Sequence, residues 1–590
     1  MKSSNSPRRG TRRLIAAIAT GGLVLVGLPL ATAPANAADA CALGATCEGA
    51  LTGSLGTSPI KITMPATFNG TVLLYSHGYR IGTPVPAALA TPLGMTTDPA
   101  VVKTSVPSFA ATFGSDVAYV GGNSADVAPS TSVATNLLAQ GYALAGAGYA
   151  KQGWAAAEGV EAGENLIKYI NSGAIGGVKK ILVWGSSLGG LISQTIAERN
   201  PGKVAGSLPA CGVLMGPEQA FGSAMSVLFT WKTLVAPTLR VANYQSYAQA
   251  LGDLATVLTA LGGVSAGRTV SSVGFPIPQA NLLAGLLGGL PTKSAVYDGI
   301  TVNPFVAVLA ANPAIGPGLA PAAASAQGYS PVTAGASSVV AMLQNVGGAA
   351  ALGILGRYEL EQRARVIGGI AATDSANFND NVAVSYTNLL STEQAGEFGD
   401  TLNASTVIAG GVLKVMLGTL DASKDNASVR FPANPAAITA VRSIPAPHGV
   451  YTVPTVLITT TYDSIVPAGN TFAFYKRLMA SAKKQGALPR IAQFYTVPPE
   501  DGWTSFVAGG KAPDTALSVA ALGGSGVGHC NFAVGGGVQW IYAVSALNRM
   551  VYAHSAKQVK AAKALVYAQP GVNGDGYYEP EPLQKPNLAR

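Results

Sequence analysis

The sequence predicts an α/β protein, a mostly parallel β-sheet flanked by helices, with one large, mainly helical insertion. Three observations carry this. Short apolar runs of strand length alternate with stretches of helical spacing from about Ile60 to Gly212, and again from Val453 to Ala553. One repeat of that alternation, Lys179 to Asn200, reads KKILVWGSSLGGLISQTIAERN, a strand, a sharp turn and a helix. Between Gly216 and Pro447 the alternation stops and the chain becomes rich in Ala, Gly and Leu.

At 590 residues the chain exceeds one compact core, so a main domain plus a large insertion is expected. The reading divides it into a leader over 1–37, a first core segment over 38–215, an insertion or lid over 216–447, and a second core segment with a tail over 448–590. Charged residues are only 11%, while Gly and Pro number 72 and 37, a composition of many turns and of surfaces polar without charge. The formal net charge of +9 includes Lys2, Arg8, Arg9, Arg12 and Arg13; without those five it is +4. That balance points to no acidic polymer, and no nucleic-acid partner is expected.

The first residues have the form of a secretory signal: a basic start, the apolar run Leu14 to Leu30, and the small-x-small site Ala35-Asn36-Ala37. Thr11-Arg12-Arg13-Leu14-Ile15 leaves Sec and twin-arginine export both open. Glycines and Pro29 break the apolar run, and no later stretch is long and apolar enough to span a bilayer, so an extracellular protein without stable membrane insertion is expected. Four cysteines in an exported chain read as two disulfides rather than a metal site. Cys41 and Cys47 close a small N-terminal loop, which leaves Cys211 with Cys530.

In chain order, Ile60 to Met64 and Thr71 to Ser76 read as strands joined by a turn at Phe68-Asn69-Gly70. The second runs into His77-Gly78-Tyr79. Arg80 to Gln140 has no regular pattern and reads as a rim over the site. Gly141 to Gly148 is a buried strand, and Ala155 to Asn171 a helix with Val160, Leu166, Ile167 and Ile170 along one side. Ile181 to Trp184 is the next strand, Leu188 to Asn200 its helix, and Val204 to Cys211 the following strand. Inside the insertion, Leu251 to Leu261, Ser337 to Met342 and Ile354 to Val366 have helical spacing. Asp374, Asn377, Asn379 and Asp380 lack a recognisable oxygen-ligand spacing and read as a solvated loop, so no metal is assigned. Val453 to Thr460 is a strongly apolar strand ending near Asp463, Ala468 to Gln485 a helix, and Ile491 to Val497 the last strand. Gly526-Val527-Gly528-His529-Cys530 precedes a helix through Trp540 and Ala553. Asn573-Gly574-Asp575-Gly576 in the tail is read as a plain turn.

The chemistry centres on Gly185-Ser186-Ser187-Leu188-Gly189, a match to G-x-S-x-G. A serine hydroxyl is a weak nucleophile until a base takes its proton, so it must stand clear of the backbone within reach of an imidazole. Gly185 and Gly189 permit the sharp turn that lifts Ser187 above the sheet. A second match, Gly263 to Gly267, follows a helix and lacks the strand that the motif requires. Of the four histidines, His448 sits among prolines and His554 late in a helix, while His529 lies in a glycine-rich loop after the last strand. His77 reads as a strand-end residue that shapes its loop. Asp463 is well placed to orient an imidazole, with Glu218 the alternative acid.

These residues resemble the α/β-hydrolase superfamily over roughly Ile60 to Gly212 and Val453 to Ala553, in the order Ser187, Asp463, His529. The resemblance implies an α/β-hydrolase fold, with Ser187 as nucleophile, His529 as base and Asp463 as the group that orients it. The oxyanion would bind the backbone N–H groups of Tyr79 and Leu188. A cysteine directly after the histidine, with a large inserted lid, is similar to the tannase and feruloyl-esterase enzymes. Those place the partner cysteine immediately before the serine, where this chain has Ser186, and their aromatic-ester substrates are not carried over.

The expected activity is cleavage of a carboxylic ester of a bulky or polymeric apolar substrate through an acyl-enzyme, with no cofactor. A serine peptidase on the same fold and a non-catalytic binding protein are the alternatives. Oligomeric state is left open.

Overall fold

The computed structural model describes residues 40–265, 270–289, 350–390, 395, 406–460, 463, 465–496, 529, 530, 532, 537–567, 572 and 573. The stretch read as a leader, the stretch 337–342 and the run 526–528 lie outside them, as does most of the stretch 573–576.

Nine strands form the main sheet. In chain order its strands are β1 (Thr46–Gly53), β2 (Gly56–Thr63), β3 (Thr71–Ser76), β7 (Ala143–Ala147), β8 (Lys180–Ser186), β9 (Gly206–Ala210), β10 (Thr455–Thr460), β11 (Ile491–Thr496) and β12 (Val572–Asn573). Across the sheet they run β1-β2-β7-β3-β8-β9-β10-β11-β12. The six from β7 to β11 are parallel, and antiparallel neighbours close both edges. A second sheet, β4 (Val85–Pro86), β6 (Val117–Gly121) and β5 (Val101–Ser105), is antiparallel.

Period-two geometry explains the layers. Val72 and Leu74 of β3, with Ile181 and Val183 of β8, pack on one face against the helices Ala156–Tyr169 and Leu188–Arg199. Leu73, Tyr75, Leu182 and Trp184 point to the other face, onto the helices Thr131–Ala139, Val538–Val551 and Ala556–Tyr567. Both faces are covered, so the central strands read as continuous apolar runs.

Between β9 and β10 the described residues are mainly helical, including Pro217–Leu234, Tyr247–Ser265, Ile277–Leu287, Arg357–Gly368, Thr406–Asp421 and Pro435–Arg442. Several share one hydrophobic cluster with Ile81, Val85, Leu89, Phe109 and Ala118, which joins these helices to the segment after β3.

Two expectations need correction. The segment after Arg80 is not irregular: it holds β4 to β6 and the helix Thr131–Ala139, whose Ser130 Oγ accepts the N–H of Val133. Its strands are short and β5 is mostly exposed, so no alternating pattern marked them. Cys47, whose bridge to Cys41 closes the small loop read from the sequence, lies within β1 of a hairpin. Asn377 and Asn379 are buried, not solvated: their Oδ1 atoms accept from Arg357 at 3.2 and 2.8 Å, beside Phe221 and Phe378.

Candidate active site

The C-terminal ends of β3, β8, β9 and β10 lie side by side, and the sequence loads each with a residue of interest. β8 stops at Ser186 and the helix starts at Leu188, so the turn consists of Ser187 alone. Its φ of 57° and ψ of −123° are a strained conformation for a residue with a Cβ. The strand on one side and the helix on the other hold it there: Ser187 N–H donates to Ala210 O at 3.0 Å, and Ser187 O accepts from Gly190 and Leu191.

Close packing explains the glycines. A Cβ on Gly189 would lie 1.9 Å from Ser76 O, and one on Gly185 would lie 2.4 Å from Gly189 O. A Cβ on Gly78 would come within 3.3 Å of Ser187 Cβ, so the backbone after β3 runs directly beside the serine. Tyr79 follows in that loop, and Leu188 N–H is the first of the helix, one of the four with no partner inside it.

His77, just before, is buried against Tyr149, with ring centroids 3.8 Å apart, and its Nδ1 lies 2.8 Å from Gly78 O. Burial first, and then the charge of Arg80, push its pKa down to about 3, so the ring is neutral. It shapes the loop, as the sequence indicated.

Asp463 follows β10 and is fully buried. Its Oδ1 accepts the backbone N–H groups of Ile465 and Val466 at 2.9 and 2.8 Å, and its Oδ2 lies 2.7 Å from His529 Nδ1. Two N–H groups on one oxygen leave the other to fix the imidazole and its tautomer. Among the described residues no other histidine ring is hydrogen-bonded to a carboxylate: His448 and His554 are exposed, Glu198 accepts the backbone N–H groups of His448 and Gly449 at 2.7 and 3.0 Å, and Glu218 is held by Arg442 through bonds of 2.6 and 2.8 Å.

Both disulfides expected from the sequence are present, Cys41 to Cys47 and Cys211 to Cys530. Cys211 follows β9, and Cys530 Sγ is 3.6 Å from His529 Nε2. Ser186 hydrogen-bonds Tyr75 Oη at 2.9 Å, so the position that would hold a cysteine in tannase-like enzymes is occupied by a polar pair.

Ser187 and His529 line one cavity of about 210 Å³. Ile81, Leu93, Met95, Val101, Leu352 and Ile465 make half of its lining, and Asp98 stands among the rest. Arg80 also borders it, but its guanidinium is committed to Gly122 O, Ser124 O and Asp126 at 2.8, 2.9 and 2.5 Å. The site can therefore hold an uncharged apolar group beside a hydroxyl and an oriented imidazole. The segment after β3, read from the sequence as a rim over the site, supplies much of this wall. Its apolar residues were visible, but nothing local showed which way they faced.

No family model matches the sequence, and no curated protein does. Among solved structures, the ligand-bound rice cell wall degrading esterase LipA from Xanthomonas oryzae is similar at 15% identity and a TM-score of 0.28, over 76% of this chain and 81% of that one. An esterase from Aspergillus oryzae has 12% identity and a TM-score of 0.27, over 76% and 72%. Feruloyl esterase B from the same organism has 11% and 0.26, over 76% and 73%. Superpositions this loose carry no weight, and the architecture speaks for itself. A central parallel sheet ordered β7-β3-β8-β9-β10-β11, helices on both faces and a strained serine between β8 and its helix give this chain the α/β-hydrolase fold.

Proposed function

We propose that the protein is a serine hydrolase that cleaves carboxylic esters through an acyl-enzyme. One observation carries this reading: Ser187, strained at the strand–helix turn, shares a cavity with an imidazole whose Nδ1 is bonded to a buried carboxylate. Ser187 Oγ attacks the ester carbon while His529 takes its proton, and the tetrahedral oxyanion binds the N–H groups of Leu188 and Tyr79. His529 then passes that proton to the departing alcohol. Water repeats the sequence on the acyl-enzyme and releases the acid. Asp463 orients the ring and stabilises the imidazolium.

The apolar wall and the commitment of Arg80 to the protein itself favour an uncharged, apolar acyl or alcohol group. In this reading the inserted helices serve as a lid over a bulky or polymeric ester, and the protein is secreted. Among the described residues no helix is long and apolar enough to cross a membrane.

Treatment with a fluorophosphonate, followed by peptide mapping, tests the assignment alongside panels of p-nitrophenyl esters and peptide anilides. The expected result is a label on Ser187 and turnover of esters. Anilide turnover without ester turnover moves the reading to a peptidase, and an unlabelled Ser187 in folded protein moves it to a binding protein.

A further inference from the structure

The inserted helix Arg357–Gly368 sends one carboxylate into the loop that follows β3. Glu359 Oε2 accepts the Tyr79 hydroxyl at 2.8 Å, its Oε1 accepts the Gly82 N–H at 2.9 Å, and the backbone of Trp154 hydrogen-bonds to the same group. Glu359 is 9% exposed. Arg363, one turn along the helix, is bonded at 2.8 Å to Glu158 instead. The backbone makes room for the carboxylate: Gly153 has φ 84°, and a Cβ there would lie 2.5 Å from Oε2. Burying a carboxylate among neutral donors is costly, which makes an arrangement that aims three of them at one side chain informative.

The two bonds from Tyr79 and Gly82 bracket Arg80 and Ile81. Their carbonyls are held as well, Arg80 O by Gly153 N–H at 2.8 Å and Ile81 O by Gly121 N–H at 2.7 Å. The segment is thus fixed at its ends by one side chain and in its middle by backbone. Tyr79 is also the residue whose N–H is read as an oxyanion donor, a few atoms from the anchored ring.

We propose that Glu359 is a positioning residue of the active site, setting the Tyr79 peptide from the insertion through the Tyr79 hydroxyl and the Gly82 N–H. This rests on the reading of Tyr79 as an oxyanion donor. A carboxylate accepts all three donors. An amide of the same shape offers one acceptor oxygen and two donor hydrogens, so it sets donor against donor and releases part of the loop. A small shift of a donor that binds charge only in the transition state lowers kcat and leaves substrate binding nearly untouched.

The test compares the wild type with Glu359→Gln, Tyr79→Phe and the double variant, after wild-type labelling at Ser187 by a fluorophosphonate has been checked. Each is assayed above about pH 8, where the Glu359 carboxyl, raised by burial to about 7, is ionised, for kcat and KM on a p-nitrophenyl ester and for affinity to an aryl trifluoromethyl ketone. Ser187 Oγ adds to the ketone carbon, its proton goes to His529, and the carbonyl oxygen becomes an oxyanion in the same cradle. In Glu359→Gln the expected result is a fall in kcat of about ten-fold or more, KM within two-fold, and a loss of ketone affinity that matches the loss in kcat. Tyr79→Phe should move kcat in the same direction by less, and the double variant should be no worse than Glu359→Gln alone. A folded Glu359→Gln with kcat within two-fold of wild type overturns the proposal. If that variant does not fold, Tyr79→Phe decides, and an unchanged kcat overturns it. An unlabelled Ser187 in the wild type overturns the reading of the site, and this proposal with it.

Discussion

Cys530 is bonded to Cys211 with their Cα atoms 5.5 Å apart, so the residue next to His529 is tied to the end of the strand beside the nucleophile strand. The crosslink closes a loop of 319 residues. Paired replacement of both cysteines by serine is expected to cost about 2–4 kcal/mol of stability and to lower kcat by about ten-fold as the imidazole loses its tether. Thermal unfolding and ester kinetics on the double variant measure the two effects separately, and a kcat equal to wild type would show that Asp463 alone holds the ring.

The backbone at Ser187 carries strain that its side chain does not relieve. Ser187→Ala should abolish turnover with Tm unchanged. Ser187→Gly should abolish turnover and raise stability by about 1 kcal/mol, a relief of about 1–3 kcal/mol offset by the greater entropy of unfolded glycine. Urea midpoints of the two inactive variants, taken side by side, read the difference directly.

Gly189 has no room for a methyl group, because Ser76 O and His77 O occupy the place. Gly189→Ala is expected to cost about 3 kcal/mol or more by forcing the helix off β3. Gly410→Ala, where a Cβ would meet nothing within 4 Å, is the control and should leave the midpoint of unfolding in place or raise it slightly.

Two buried groups pull stability in opposite directions with pH. Burial raises the Glu359 carboxyl from 4.5 to about 7, against the lowering effects of Tyr79, Gly82, Arg363 and Trp154; Tyr247 and Tyr358 also face it. The folded chain therefore holds that proton more tightly, and its contribution is full below 4.5 and lost as pH rises through 7. His77, lowered from 6.5 to about 3, contributes above 6.5 and loses its contribution as pH falls towards 3. Each is worth on the order of 3–5 kcal/mol at full extent. Between pH 4.5 and 6.5 the slopes oppose. Relative to wild type, Glu359→Gln should make stability climb more steeply with pH in that window, and His77→Phe should tilt it the other way. Denaturant midpoints at five or six pH values settle both signs.

The cavity wall sets which esters enter. Val101→Trp places a large ring against a cavity of about 210 Å³. Turnover of p-nitrophenyl acetate should persist within a few-fold, while that of the octanoate should fall by about ten-fold or more. Equal losses on both esters would mean that the acyl chain lies elsewhere.

What the sequence disclosed, and what it withheld, follows from the range of the forces involved. The strand, turn and helix around Ser187 were legible because the whole motif lies in one short run of chain, even though Gly189 answers to Ser76 and His77 at the end of the neighbouring strand. The central strands were legible because burial on both faces leaves no polar positions to confuse. Asp463 and His529 could be named from their places after β10 and β11, and the structure sets them 2.7 Å apart. By contrast, β1 is largely exposed and gave no period to read. Glu359 was hidden among the charges of an ordinary helix, 280 residues from the hydroxyl it holds. No local pattern distinguishes a carboxylate that faces solvent from one that faces a distant loop.

The pairing of β9 with β10 has a consequence for how the chain is made. β10 arrives more than two hundred residues after β9, so a growing chain presents β9 as an open edge for as long as the insertion takes to emerge. At about 5–20 residues per second that is of order tens of seconds, during which an apolar strand edge waits for its partner. Such an edge invites pairing with other chains, and the large sequence separation slows its own closure. Expression should therefore be limited less by the stability of the finished protein than by what shields that edge while synthesis continues.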